Sequence, residues 1–132
     1  DIASIFDKRA DRELLTAPIQ LQLLADRSSR WPAWEVLFED LQAPPREVVD
    51  GPASIEISES GPVRAALTIR RRRKRSEYVQ TVRLCSGDAG QRIDIETAVN
   101  WRTRSRMLKA ALPDVRLPGS NVRPGTRASS TR

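Results

Sequence analysis

The stretch Ile93-Asp94-Ile95-Glu96-Thr97-Ala98-Val99-Asn100-Trp101 decides the fold class. Ile93, Ile95, Thr97, Val99 and Trp101 fall on every second position, with Asp94, Glu96 and Asn100 between them. A strand sends successive side chains to opposite faces, so this pattern reads as a half-buried β-strand. Working outward, the same period recurs. Val63, Ala65, Leu67 and Ile69 share one face and Arg64, Thr68 and Arg70 the other. Ile55 and Ile57 alternate with Ser54, Glu56 and Ser58, and Ile19, Leu21 and Leu23 with Gln20 and Gln22. Tyr78 to Cys85 is β-prone with a blurred alternation.

The breaks between these runs carry turn residues: Ser60-Gly61-Pro62, Lys74-Arg75-Ser76-Glu77 and Ser86-Gly87-Asp88-Ala89-Gly90. Connections this short favour antiparallel neighbours over parallel crossovers. Trp34, Leu37, Phe38 and Leu41 stand at i, i+3, i+4 and i+7, which predicts a short helix ended by Pro44-Pro45. Met107 to Leu112 has helix-forming residues but is too short for periodicity to decide. The expectation is an all-β chain: a partial antiparallel β-sandwich with little helix.

From Leu117 onward the alternation stops, and Pro, Gly, Ser and Arg take over. Residues 117–132 are expected to be a disordered basic tail, since they cannot bury enough apolar surface to offset their ordering entropy. That leaves residues 1–116 as the structured piece. The chain opens on Asp1-Ile2-Ala3-Ser4-Ile5 as though cut from something longer.

Composition narrows the chemistry. The chain has 132 residues and no histidine, which removes the commonest neutral metal ligand and the commonest general base. The single Cys85 cannot form an intrachain disulfide and reads as a small, partly buried hydrophobe. Nothing here argues for an oxidising compartment, and a cytoplasmic location is expected. No run approaches the ~20 apolar residues of a membrane span. The net charge of +6 divides unevenly: residues 1–62 carry −6 and residues 63–132 carry +12. Such asymmetry raises the question of an anionic partner.

Four clusters, taken in order, resemble the region that follows the catalytic domain in family 38 glycoside hydrolases, the α-mannosidases. They are Ala3-Ser4-Ile5-Phe6-Asp7-Lys8-Arg9; Leu21-Gln22-Leu23-Leu24 with Asp26-Arg27 and Trp31-Pro32-Ala33-Trp34; Ser60-Gly61-Pro62-Val63-Arg64-Ala65; and Ile95 to Trp101 joined to Met107-Leu108-Lys109. The chain departs from the pattern at Pro32 and Asn100, where Asp is expected, and at Leu112, where Phe is expected.

The resemblance implies a large β-sandwich of the type found in carbohydrate-active enzymes, packed against a catalytic domain of the same polypeptide. In the family, that domain holds zinc through Asp and His and cleaves mannosides with retention, using two carboxyls about 5–5.5 Å apart. None of those motifs is present here, so this chain alone is expected to be inactive, without a catalytic residue or metal site of its own. Its expected partners are that catalytic domain and, through it, a mannose-containing glycan.

Two candidate sites follow. Asp26, Arg27, Trp31 and Trp34 could form a sugar platform, indole faces stacking on C–H groups while the charged pair bonds hydroxyls. Against this, the two Trp could fill the core or the interface to the catalytic domain. The run Arg70-Arg71-Arg72-Arg73-Lys74-Arg75 could bind nucleic acid or another anion. The favoured alternative is a solvated hairpin tip whose charges discourage edge pairing. Asp94, Glu96, Glu56 and Glu59 belong to solvent faces. A third possibility is that the chain is a non-functional remnant of an interrupted gene, its tail the product of a frameshift or early stop.

Overall fold

The structure is a computed structural model that describes residues 1–31 and 34–114. Position 32 and the tail expected at 117–132 lie outside the described residues. The described residues divide into two compact units, one of residues 1–19 with 111–114, the other Gln20–Ala110.

In the first unit, strands β1 (Phe6–Asp7) and β2 (Arg12–Glu13) form a small hairpin. The Asp7 carboxylate accepts the backbone N–H groups of Arg9 and Ala10 at 2.9 and 3.2 Å, shaping its turn. Glu13 collects three donors: Ser4 Oγ at 2.5 Å and the N–H groups of Ile5 and Leu15 at 2.9 Å each. These bonds, that from Ser4 foremost, favour the ionised form and lower its pKa from 4.5 to about 2.

The second unit holds two sheets. One has the order β4 (Glu47–Val48), β3 (Gln20–Ala25), β9 (Arg106–Ala111), with β3 and β4 antiparallel. The other is a meander, antiparallel throughout, of β5 (Ala53–Ser60), β6 (Arg64–Arg73), β7 (Ser76–Cys85) and β8 (Ile93–Asn100). Its turns fall where Gly-Pro, Lys74-Arg75 and the Gly-rich segment predict. Gly90 is required in the last of them, because a Cβ there would stand 2.3 Å from the Cys85 carbonyl oxygen. All-β with little helix is what the structure shows, and Met107 to Ala111 lie in the strand β9 rather than a helix.

The core lies where the two sheets meet. Leu21 and Leu23 of β3, Val49 beside β4 and Tyr78 of β7 form a buried cluster, with Leu108 of β9 packed against it. Leu23 is wholly excluded from solvent and Tyr78 nearly so.

Register fixes the faces of the meander, since directly opposed residues share a face. Ile55 opposes Ile69, Ile57 opposes Leu67, Leu67 opposes Val82, and Val82 opposes Ile95. Ala65, Leu84 and Ile93 continue the same face. The other face is polar: Arg70 pairs with Glu56 at 3.5 Å, and Arg83 with Glu96 at 2.7 Å. Glu59 and Arg83 flank Ala66 in register and pair across it at 3.9 Å, which buries that small side chain on a solvated face. The blurred alternation of β7 has its reason here. Ser76 and Gln80 stand beside Tyr78 on the inner face, while Val79 faces outward; Gln80 donates to Thr97 Oγ1 on the next strand at 3.4 Å.

Candidate functional site

The helix expected over Trp34–Leu41 is shorter: α1 spans Phe38–Gln42. Trp31 and Trp34 therefore do not share a helical face. They sit in a tight turn closed by the N–H groups of Trp34 and Glu35 donating to the Trp31 carbonyl at 3.0 and 2.9 Å. Neither fills the core of this chain: Trp31 is 55% and Trp34 87% exposed, and Phe38 is 69% exposed. The turn is braced by Ser28 Oγ, which donates to Glu35 at 2.8 Å and accepts the Trp31 N–H at 3.3 Å.

Arg27 is half-exposed, and its guanidinium is taken up by a structural bond. Its Nε donates to Asp40 Oδ1 at 2.6 Å, its backbone N–H donates to Oδ2 at 3.0 Å, and a second guanidinium nitrogen approaches Oδ1 at 2.5 Å. Asp40 is buried in α1, and the Arg27 guanidinium holds its pKa below the ordinary carboxylate value despite that burial. This clamp ties α1 to the end of β3. Of the sugar-platform set, the structure thus brings Arg27 to Asp40, while Trp31 and Trp34 stand out into solvent.

The arginine run is divided by the strand. Arg70 and Arg72 lie on the polar face, where Arg72 meets Glu77 at 3.5 Å. Arg71 and Arg73 lie on the core-side face. Arg73 bonds Glu47 at 3.1 Å and approaches Asp50 at 3.7 Å, and Lys74 reaches Glu47 at 2.6 Å. Both cations, Lys74 foremost, lower the Glu47 pKa. Arg71 Nε is buried without a hydrogen-bond partner. Four of the six cations thus already have carboxylates, and only Lys74 and Arg75 form the hairpin tip.

A cavity of about 770 Å3 opens beside that tip, lined in part by Arg75, Trp101, Arg102 and Arg104. Sequence reasoning missed Arg102 and Arg104. Two single arginines after a strand carry no local signal, and only the return of the chain beneath the hairpin sets them beside Arg75. The return is pinned by Ser76 Oγ, which accepts the Arg102 N–H at 2.8 Å and shares a buried hydrogen bond with Thr103 Oγ1 at 2.8 Å.

No group of His, Cys, Asp or Glu among the described residues could hold a metal ion. The zinc of the family's catalytic domain does not fit this chain's donors. Histidine is absent, and the two well-shielded carboxylates, Asp40 and Glu47, are engaged by arginine and lysine. No helix among the described residues is long and apolar enough to cross a membrane.

No curated protein and no solved structure matches the chain. A family model does: "Glycosyl hydrolases family 38 C-terminal domain" matches residues 1–116, which include all four sequence clusters. In the family, this domain sits in one polypeptide with a catalytic domain. The chain belongs to the C-terminal domain family of the family 38 glycosyl hydrolases.

Proposed function

We propose that this chain is the non-catalytic β-domain of an α-mannosidase-like enzyme, and that its work is to brace the catalytic domain. The observation that carries the reading is the apolar face of β5–β8. Ile57 is 71%, Ile55 62%, Leu84 49%, Leu67 43% and Ile93 36% exposed, side by side on one sheet. Together they leave uncovered the equivalent of about two and a half side chains, worth roughly 4–8 kcal/mol if buried. An apolar surface of this kind marks a place where another body packs. Family membership supports the catalytic domain of the same polypeptide as that body.

Trp31, Trp34 and Phe38 form a second exposed apolar group. In this reading they belong to the same interface or to the wall of the mannose cleft, which would bring a mannose-containing glycan to Trp31 and Trp34 through the catalytic domain. The free Cys85 suits a cytoplasmic enzyme. The nucleic-acid reading has less support, because carboxylates already neutralise Arg70, Arg72, Arg73 and Lys74.

The test is a matched pair: a family 38 catalytic domain with and without this chain joined to it, assayed on an aryl α-mannoside. Activity that depends on the joined chain, and is lost with Ile57→Asp, is expected. Equal activity without it would refute the bracing role. The chain by itself should show no turnover.

A further inference from the structure

We propose that the cavity between the β6–β7 hairpin tip and the segment after β8 binds a phosphate- or sulfate-bearing sugar. Five cations line it, of which two are already paired: Arg72 with Glu77 at 3.5 Å and Lys74 with Glu47 at 2.6 Å. Arg75, Arg102 and Arg104 make no ion pair with any described residue; Arg102 Nε reaches only the Asn100 amide oxygen, at 3.4 Å. Three guanidinium groups without a carboxylate partner thus line one space, whose lining carboxylate, Glu77, is already met by Arg72. An anion in that space would give them the charged partner they lack, and the planar guanidinium fork matches the oxygens of a phosphate or sulfate.

Two further features name a sugar rather than a bare anion. The volume, about 770 Å3, lies within the roughly 300–1,000 Å3 of small-molecule sites and far exceeds an inorganic ion. Trp101 lines the same space and is 38% exposed, which leaves indole surface free to pack on the C–H face of a pyranose ring. The Arg102 N–H donates to Ser76 Oγ, which also shares a hydrogen bond with Thr103 Oγ1, and with Ser76 and Thr103 both buried these bonds hold the segment in place before any ligand arrives. A polynucleotide fits less well, since the cavity offers a single aromatic for base stacking.

The choice of mannose as the sugar rests on the function proposed above; the anionic site itself does not. The experiment is calorimetric titration of the full chain at physiological ionic strength with mannose 6-phosphate, glucose 6-phosphate, mannose, inorganic phosphate and a short single-stranded DNA. Mannose 6-phosphate should bind more tightly than either mannose or inorganic phosphate. The double variant Arg75→Gln, Arg104→Gln should weaken it at least about tenfold, the effect of losing charged hydrogen bonds. Arg70→Gln, outside the cavity, should leave it unchanged, and Trp101→Ala should remove its advantage over inorganic phosphate. Both arginines are exposed, so the double variant keeps the fold, which circular dichroism checks. Equal binding of glucose 6-phosphate supports the site while counting against mannose. Failure of both sugar phosphates to bind at millimolar concentration, binding no tighter than inorganic phosphate, or tighter binding of the DNA would each overturn the proposal.

Discussion

Leu23→Ala and Ile57→Ala remove the same three carbon atoms from two strands, yet the structure assigns them very different costs. At about 0.8 kcal/mol per buried carbon the transfer loss is roughly 2.4 kcal/mol for a fully covered side chain. Leu23 is completely buried between the sheets, so it forfeits all of that and leaves a cavity as well, giving about 3–5 kcal/mol. Ile57 is 71% exposed, so it forfeits about a third or less, roughly 0.7 kcal/mol. Urea unfolding of the full chain, followed by tryptophan fluorescence and circular dichroism, reads both differences from the midpoint. A cost for Leu23→Ala several times that for Ile57→Ala is expected. Equal costs would refute the reasoning, because they would mean that the β5–β8 face is covered in the chain as it stands.

The Tyr78 hydroxyl is buried without a hydrogen-bond partner, and its burial raises its pKa and keeps it neutral. Tyr78→Phe should therefore be neutral or stabilising by up to about 1 kcal/mol in the same unfolding assay, since an orphaned buried hydroxyl carries a desolvation cost. A loss of about 1 kcal/mol or more would show that the hydroxyl bonds the neighbouring Ser76–Thr103 pair. Glu13, Asp40 and Glu47 all have folded pKa values below their unfolded ones. As pH falls the unfolded chain binds their protons first, so the stability they contribute is fully present above about pH 4.5 and fades toward pH 2. The urea midpoint should fall steadily across that window, and Glu13→Gln should flatten its most acidic part; an unchanged midpoint would contradict the assigned bonds.

Much of the fold was legible because period two is a local property. Val63 to Ile69 and Ile93 to Val99 each declared their apolar face, and register in the sheet kept those faces together. The sequence could not say which apolar face is covered. Leu21 and Ile57 alternate in the same way, yet one meets Tyr78 and Val49 and the other meets solvent. That difference depends on which strands come together in space. The same holds for Met107 to Ala111, whose strand character comes from pairing with β3 some eighty residues earlier. Trp34 at helical spacing from Phe38 misled, since the turn at Trp31 satisfies the backbone there before the helix begins. The arginine run looked like a cationic patch because its carboxylate partners, Glu47 and Glu56 among them, lie on other strands.

The bracing account is tested most directly by hydroxyl-radical footprinting of the chain alone and of the chain joined to a family 38 catalytic domain. Ile55, Ile57, Leu67 and Leu84 should be oxidised readily in the chain alone and protected in the joined protein. Thr81 and Glu96, on the opposite face, should react alike in both. Unchanged oxidation of Ile55 and Ile57 in an active joined enzyme would contradict the account, for the apolar face would then be exposed where it is required to be covered.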